Sequence, residues 1–149
     1  MLSDTTEDKK ILQLVLRIIG AVWVGFCAIV EIGQRFLTLS EGDLITNLFV
    51  WGPGGEAYVT MLVAINLVLG VALYKSASNL KYYAPVIDLW LIINSAHIIV
   101  MFLLSLSDEH SMMHLMGVVP IGIFAIIVVS YYWLPYRRAL IIDNLKLSS

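Results

Sequence analysis

Six polar side chains lie within or at the ends of long apolar stretches, and they are the candidates for chemistry. They are Glu31, Glu56, Asn66, Asn94, His97 and His114. A polar group inside a membrane span is costly, so its presence there points to a function. Two histidines on different helices can ligate a metal ion or serve as the axial ligands of a haem. We therefore expect a polar pocket in which His97 and His114 approach each other, with Glu31 or Glu56 nearby.

Structural interpretations of the same residues compete with this hypothesis. Glu31 and Arg35 are four residues apart, a spacing typical of an ion pair within one helix. A hydrogen bond from His97 to Asn94, Asn66 or a backbone carbonyl would simply join two helices. In that case the histidine stabilises the fold and binds no ligand.

Other common kinds of chemistry find little support in the chain. Ser95 and His97 are two residues apart and point about 200° away from each other on a helix, which argues against a hydrolase. The only cysteine, Cys27, cannot form an internal disulfide bond. The net charge of -2, without a basic stripe, argues against a nucleic-acid partner. We expect no catalytic activity of the chain's own.

The composition identifies the class of protein that must position these residues. Of the 149 residues, 60% are hydrophobic and 13% are charged, whereas soluble domains carry about 25% charged residues. Four apolar stretches have about the 20 residues that a helix needs to cross a bilayer. They span residues 11–36, 57–74, 83–106 and 112–134. The sequence predicts an all-α fold, a four-transmembrane-helix bundle that forms one integral membrane domain over residues 1–149.

The first outer loop, between the first two stretches, has a pattern of its own. Asp43 can cap a helix that begins at Leu44, and apolar residues follow as far as Trp51. Gly52–Gly55 then forms a turn. We predict a short interfacial helix over Leu44–Trp51 that lies on the membrane surface.

The basic residues predict the orientation of the bundle. With four spans, eight of the nine Lys and Arg residues fall on one side, and Arg35 alone falls on the other. The eight are Lys9, Lys10, Arg17, Lys75, Lys81, Arg137, Arg138 and Lys146. Because basic residues are retained on the cytoplasmic side, both termini are expected in the cytoplasm.

Helical periodicity predicts which residues face the interior. On the first helix, one stripe carries Gly20, Trp23, Cys27 and Glu31. On the third helix, Asn94, His97 and Met101 share a face in the same way. These stripes are expected to point inward and to make a polar pocket towards the outer side.

Three further features have structural interpretations. Asp88 is expected to cap or snorkel at the inner border of the third span. Pro120 is expected to kink the fourth helix by freeing the carbonyl of Met116. The pair Ala21-x-x-x-Gly25 is a weak signal for close helix packing.

The second half of the chain resembles a family of small four-helix bacterial membrane proteins that carries only a domain-of-unknown-function label. The resemblance covers roughly residues 56–134 and rests on three segments. They are Met61–Ile65 with Leu69 and Gly70, Asn94–His97 with Met101, and His114–Pro120. The family pattern places Ser-x-x-His in the third helix and opens the fourth with His-Leu-x-Gly-Asp-Val-Pro. The resemblance implies the bacterial cytoplasmic membrane, with His97 and His114 as signature positions, and it supplies no activity.

The chain departs from that pattern at two positions. Val118 stands where the family has aspartate, and Asn66 stands where tyrosine is expected. If the aspartate binds a cation or relays protons in the family, this member lacks that function. A looser similarity to DoxX-like membrane proteins concerns the helix layout alone.

Three functions fit these observations. The first is an accessory or assembly subunit of a membrane complex, in contact with the lipid bilayer and with other membrane subunits or a second copy of itself. The second is a redox protein, or one that binds a metal ion or haem through His97 and His114. The third is a small proton-coupled transporter that uses Glu31, His97 and Asp88.

Overall fold

The computed structural model describes residues 6–36, 56–106, 115 and 118–147. These residues form four helices, α1 (Thr6–Phe36), α2 (Glu56–Ser76), α3 (Ala84–Ser105) and α4 (Val118–Leu147). The prediction of an all-α, four-helix protein is therefore confirmed. The predicted interfacial helix at Leu44–Trp51 and the turn at Gly52–Gly55 lie outside the described residues.

Three helices are long and apolar enough to cross a membrane, over Thr6–Gly33, Ala84–Ser105 and Val119–Asp143. In α2 the apolar segment is shorter, Thr60–Ser76. Large apolar side chains are exposed on all four helices, among them Val22, Val68, Ile92 and Phe124. Long apolar helices with exposed apolar faces fit a small integral membrane protein in contact with lipid.

The helices form a closed ring of neighbours. The most extensive packing joins α1 to α2, while α3 packs on α4, and the pairs α1–α4 and α2–α3 complete the ring. Residues 77–83 connect α2 to α3 at one end of the bundle, which we call the loop end. Near that end, Gln13 of α1 donates a hydrogen bond of 2.7 Å to the carbonyl of Ala77.

The main hydrophobic core lies towards the loop end and draws on all four helices. Its buried members are Leu12, Leu16, Leu73, Ala77, Leu80, Ala84, Ile87, Trp90, Ala125, Val129 and Trp133. A second, smaller cluster joins Ile98 and Met101 of α3 to Val119 of α4 at the opposite end. The common core thus holds the four helices together most firmly near the loop end.

The closest approach between α1 and α2 depends on glycines. A Cβ atom on Gly20 would lie 2.7 Å from the backbone nitrogen of Tyr74 and 2.9 Å from the carbonyl oxygen of Gly70, so no larger residue fits. The pair Ala21-x-x-x-Gly25 was the wrong packing signal. Both residues are exposed, and a Cβ on Gly25 would meet nothing within 4 Å.

Two helix ends differ from the sequence-based boundaries. The α1 helix begins at Thr6, with Glu7 and Asp8 in its first turn, where negative charge complements the helix dipole. The α4 helix continues through Pro135 to Leu147, well past the predicted end at residue 134. The continuation is stabilised because Tyr136 and Leu140 pack against the main core.

The predicted kink at Pro120 lies at the edge of the described residues and stays a prediction. The described part of α4 begins at Val118, two residues before Pro120. Met116, whose carbonyl the predicted kink would free, lies outside the described residues.

Candidate functional site

Asn66 and Trp23 form the polar link between α1 and α2. The indole Nε1 of Trp23 donates to Oδ1 of Asn66 at 3.2 Å. The amide nitrogen of Asn66 in turn donates to the carbonyl of Leu62 at 2.9 Å, which fixes the orientation of the amide. Asn66 therefore holds two helices together, and its hydrogen-bonding groups are engaged in doing so.

The predicted inward stripe of α1 is confirmed. Gly20 and Cys27 are buried, and Trp23 and Glu31 are half-buried. The ring of Trp23 reaches across the bundle to Trp90 of α3, with ring centroids 5.6 Å apart and the planes at 73°. This edge-to-face contact joins two helices that face each other across the ring.

Asn94 and Trp90 are buried side by side on α3. The amide nitrogen of Asn94 donates to the carbonyl of Trp90 at 2.9 Å, one turn earlier in the same helix. Asn94 is 1% exposed, so it contributes to the interior as predicted. This bond runs to its own helix, so it does not join Asn94 to another helix.

Asp88 is neither a cap nor a snorkelling residue, contrary to the sequence-based prediction. Its Oδ1 accepts a 2.7 Å hydrogen bond from the indole of Trp133, and its Oδ2 accepts a 2.8 Å bond from Nε of Arg137. Both partners belong to α4. A carboxylate that accepts two donors from one neighbouring helix fixes the position of that helix.

Sequence reasoning missed Arg137 as the partner of Asp88. It was counted only among the cytoplasmic basic residues, because the predicted fourth span ended at Leu134. A signal was present. An acidic residue near the end of one span calls for a basic residue at the same depth on another.

His97 is half-buried on α3. None of the hydrogen bonds among the described residues involves it, and its two suggested side-chain partners bond elsewhere: Asn94 to Trp90, and Asn66 to Trp23 and Leu62. The structural interpretation of His97 as a link to Asn94 or Asn66 is thus wrong. The imidazole stands near the middle of α3 without a described partner.

The rest of the predicted pocket cannot be placed. His114 and the side chain of Glu56 lie outside the described residues, so the approach of His97 to His114 stays a prediction. Over residues 6–36, 56–106, 115 and 118–147, no three His, Cys, Asp or Glu side chains converge as a metal site. The predicted site needs only two histidines, and one of them, His114, lies outside the described residues.

Glu31 lines an open cleft between α1 and α2, which we call the α1–α2 cleft. Its volume is about 470 Å³. The lining residues are Cys27, Ala28, Glu31, Ile32, Thr60, Val63, Ala64 and Leu67. A carboxylate and a hydroxyl in an otherwise apolar wall can orient a ligand that carries one polar group.

Four of the described polar residues thus play one of two parts. Asn66 and Asp88 join helices, whereas Glu31 and Thr60 face a cleft. No protein-family model matches the chain, and neither does any curated protein or solved structure.

Proposed function

We propose that this small integral membrane protein is an accessory or assembly subunit of a membrane complex. The observation that supports this proposal is that several polar side chains of the protein join its helices to one another. In the described part of the chain, Gln13, Asn66 and Asp88 each hold one helix to another element. Side chains used in this way build a scaffold, and they leave the apolar helix faces to make contact with partners.

The exposed apolar faces of the helices support the part of the proposal that concerns contact with partners. The exposed fractions are 58% for Val22, 68% for Val68, 65% for Ile92 and 65% for Phe124, one residue on each helix. Membrane helices associate partly through van der Waals packing of the faces that they expose to lipid. The proposed partners are the spans of other membrane subunits, alone or together with a second copy of this chain.

The proposed location is the bacterial cytoplasmic membrane, with both termini in the cytoplasm. The basic residues support this orientation, because Lys75, Lys81 and Arg137 all belong to the loop end. The proposed family membership rests on the segments of α2 and α3 that resemble the family and on His114–Pro120.

The test is deletion of the gene in the source bacterium, followed by native electrophoresis and quantitative proteomics of the membrane fraction. An accessory subunit is expected to lower the abundance of one specific complex, and the intact gene supplied on a plasmid restores it. Photo-crosslinking residues at the exposed positions Val68 and Phe124 should then join the chain to that complex. The same crosslinker at Trp133, which is fully buried, is the matched control.

Two results would contradict the proposal. One is a membrane fraction in which every complex keeps its abundance after deletion. The other is crosslinking from Val68 and Phe124 that joins only copies of this chain to each other. The second result would replace the accessory role with self-association.

A second candidate function is that of a redox or metal-linked protein with His97 and His114 as ligands. It is supported by the half-buried imidazole of His97, which takes part in none of the described hydrogen bonds. A haem with two histidine ligands gives the purified protein a visible absorbance spectrum, and a metal ion is found by elemental analysis. Alanine at either histidine should remove the signal. A colourless, metal-free preparation from the native membrane excludes this function.

The transporter hypothesis receives less support. It uses Asp88 as a carrier of protons, but both carboxylate oxygens of Asp88 accept hydrogen bonds from α4. Asp88 is thus engaged in holding α3 to α4. The remaining candidates for proton transfer are Glu31 and His97.

A further inference from the structure

The α1–α2 cleft opens on the side of the bundle. Four residues of its wall, Ala28, Ile32, Ala64 and Leu67, are exposed. In a membrane protein the side of the bundle faces lipid, so a ligand can enter the cleft directly from the bilayer. The cleft is independent of the helix contacts on which the proposed function rests.

The polar and apolar parts of the cleft lie at different depths. The Gln13–Ala77 bond marks the loop end, and helical rise places Leu67 about 15 Å above it. By the same measure Thr60 and Glu31 lie about 25 Å above it. Since the hydrocarbon layer is about 30 Å thick, the carboxylate and the hydroxyl lie near one border and the apolar end lies near the midplane.

This change from polar to apolar along the cleft matches a lipid that lies upright in the leaflet farther from the loop end. We propose that the α1–α2 cleft binds a single-chain lipid with a neutral headgroup that carries a hydroxyl. The hydroxyl donates a hydrogen bond to the carboxylate of Glu31, and the hydroxyl of Thr60 lines the same part of the cleft. The hydrocarbon tail lies along Val63, Ala64 and Leu67. A carboxylate accepts several hydrogen bonds, so other partners of Glu31 do not compete with this one.

The size of the cleft suits a small ligand such as a single hydrocarbon chain. The cleft holds about 470 Å³, which is within the usual range for a small ligand. The carboxylate of Glu31 selects a headgroup that donates a hydrogen bond, because an ionised fatty acid offers only acceptors.

The experiment uses the full-length protein in nanodiscs of neutral phospholipid. Two photoreactive probes with identical tails are compared, a long-chain alcohol and the corresponding fatty acid at a pH where it is ionised. Peptide mass spectrometry locates the adducts. The alcohol is expected to label α1 and α2 along the cleft, and the fatty acid to label them several-fold less.

Three substitutions test the cleft itself. Ala64→Phe fills it and should abolish the labelling, whereas Ala96→Phe, at an exposed alanine of α3, should leave it unchanged. Glu31→Gln and Thr60→Val keep the shape and should lower the labelling by the alcohol roughly threefold to tenfold. Thermal unfolding of each variant shows whether the bundle is intact, and Thr60→Val is the variant least expected to perturb it.

Two outcomes would overturn the inference. The first is labelling that Ala64→Phe and Ala96→Phe affect equally. The second is equal labelling by the alcohol and the ionised acid, with no effect of Glu31→Gln or Thr60→Val. Failure of the lipid to bind would leave the proposed accessory function intact, because that function is tested by gene deletion and crosslinking.

Discussion

Asp88 and Arg137 are joined across α3 and α4 by a 2.8 Å hydrogen bond between Oδ2 and Nε. The indole of Trp133 completes the arrangement by bonding the second oxygen of Asp88. The side chains of Asp88 and Arg137 are about one-third exposed, at 32% and 31%, so the pair is neither fully buried nor fully solvated. A pair in this position both neutralises a charge near the membrane border and fixes the register of two helices.

We predict that Arg137→Gln destabilises the bundle. Hydrogen bonds to charged groups contribute about 1.5–3 kcal/mol, and partial exposure places this one at the lower end of that range. The neighbouring Arg138→Gln is the matched control, because Arg138 is exposed. Unfolding free energy in detergent is the measurement, and a double-mutant cycle with Asp88→Asn isolates the coupling. Equal stability of the two arginine variants would contradict the prediction.

The pair Asp88 and Arg137 also shows how much of the structure can be predicted from the sequence alone. Asp88 was recognised as a polar residue near the end of a span, but its partner was not. Hydropathy identifies apolar segments, and it ends the fourth span at Leu134 because Pro135 and two charged residues follow shortly after. The extension of α4 to Leu147 depends on packing of Tyr136 and Leu140 against other helices, and no local pattern contains that information.

The class of protein and the number of helices, in contrast, could be predicted, because both depend on the hydropathy of whole apolar stretches. The inward stripe of α1 followed from periodicity, and Cys27 and Gly20 are buried as expected. The small-residue pair Ala21-x-x-x-Gly25 pointed to the wrong glycine, whereas the inward stripe already contained Gly20 and not Gly25. How closely Gly20 approaches α2 depends on the packing of the two helices.

We predict opposite effects of alanine at those two glycines. Gly20→Ala should destabilise by about 1–3 kcal/mol, because the new methyl group overlaps the backbone of α2. Gly25→Ala should be neutral or stabilising by up to about 1 kcal/mol, since alanine favours the helix and nothing lies nearby. Thermal or denaturant unfolding of the two variants measures the difference. The prediction fails if both variants lose the same stability.

Trp23 and Asn66 should be energetically coupled. Trp23→Phe keeps most of the aromatic contact with Trp90 and removes only the donor to Asn66. Hydrogen bonds between membrane helices average about 0.6 kcal/mol, so a coupling of roughly that size is expected in a double-mutant cycle with Asn66→Leu. Additive effects of the two substitutions would show that the bond contributes nothing measurable.

The orientation can be tested with fused reporters. A reporter inserted after Ser78, or attached at the C-terminus, is expected to report the cytoplasm, and one near Glu41 the outside. The reason is the bias of eight basic residues against one. Accessibility of single cysteines at the same positions provides a control that does not depend on a fused domain. A C-terminus on the outer side would refute the orientation.

The substitution His97→Leu distinguishes a ligand-binding role of this histidine from a structural one. Leucine fills a similar volume, and none of the described hydrogen bonds would be lost on His97→Leu. We therefore expect the unfolding free energy to change by less than about 1 kcal/mol, which is the usual effect of a substitution that breaks no buried bond. A structural histidine gives the opposite result, a clear loss of stability together with unchanged absorbance and metal content. If His97→Leu is stable and the absorbance or metal content of the native preparation falls, the imidazole is a ligand.

Asn94→Leu, at a buried residue that bonds the carbonyl of Trp90, is the matched control for stability. It should not affect a ligand held by His97, and loss of stability in His97→Leu alone would return this histidine to a purely structural role.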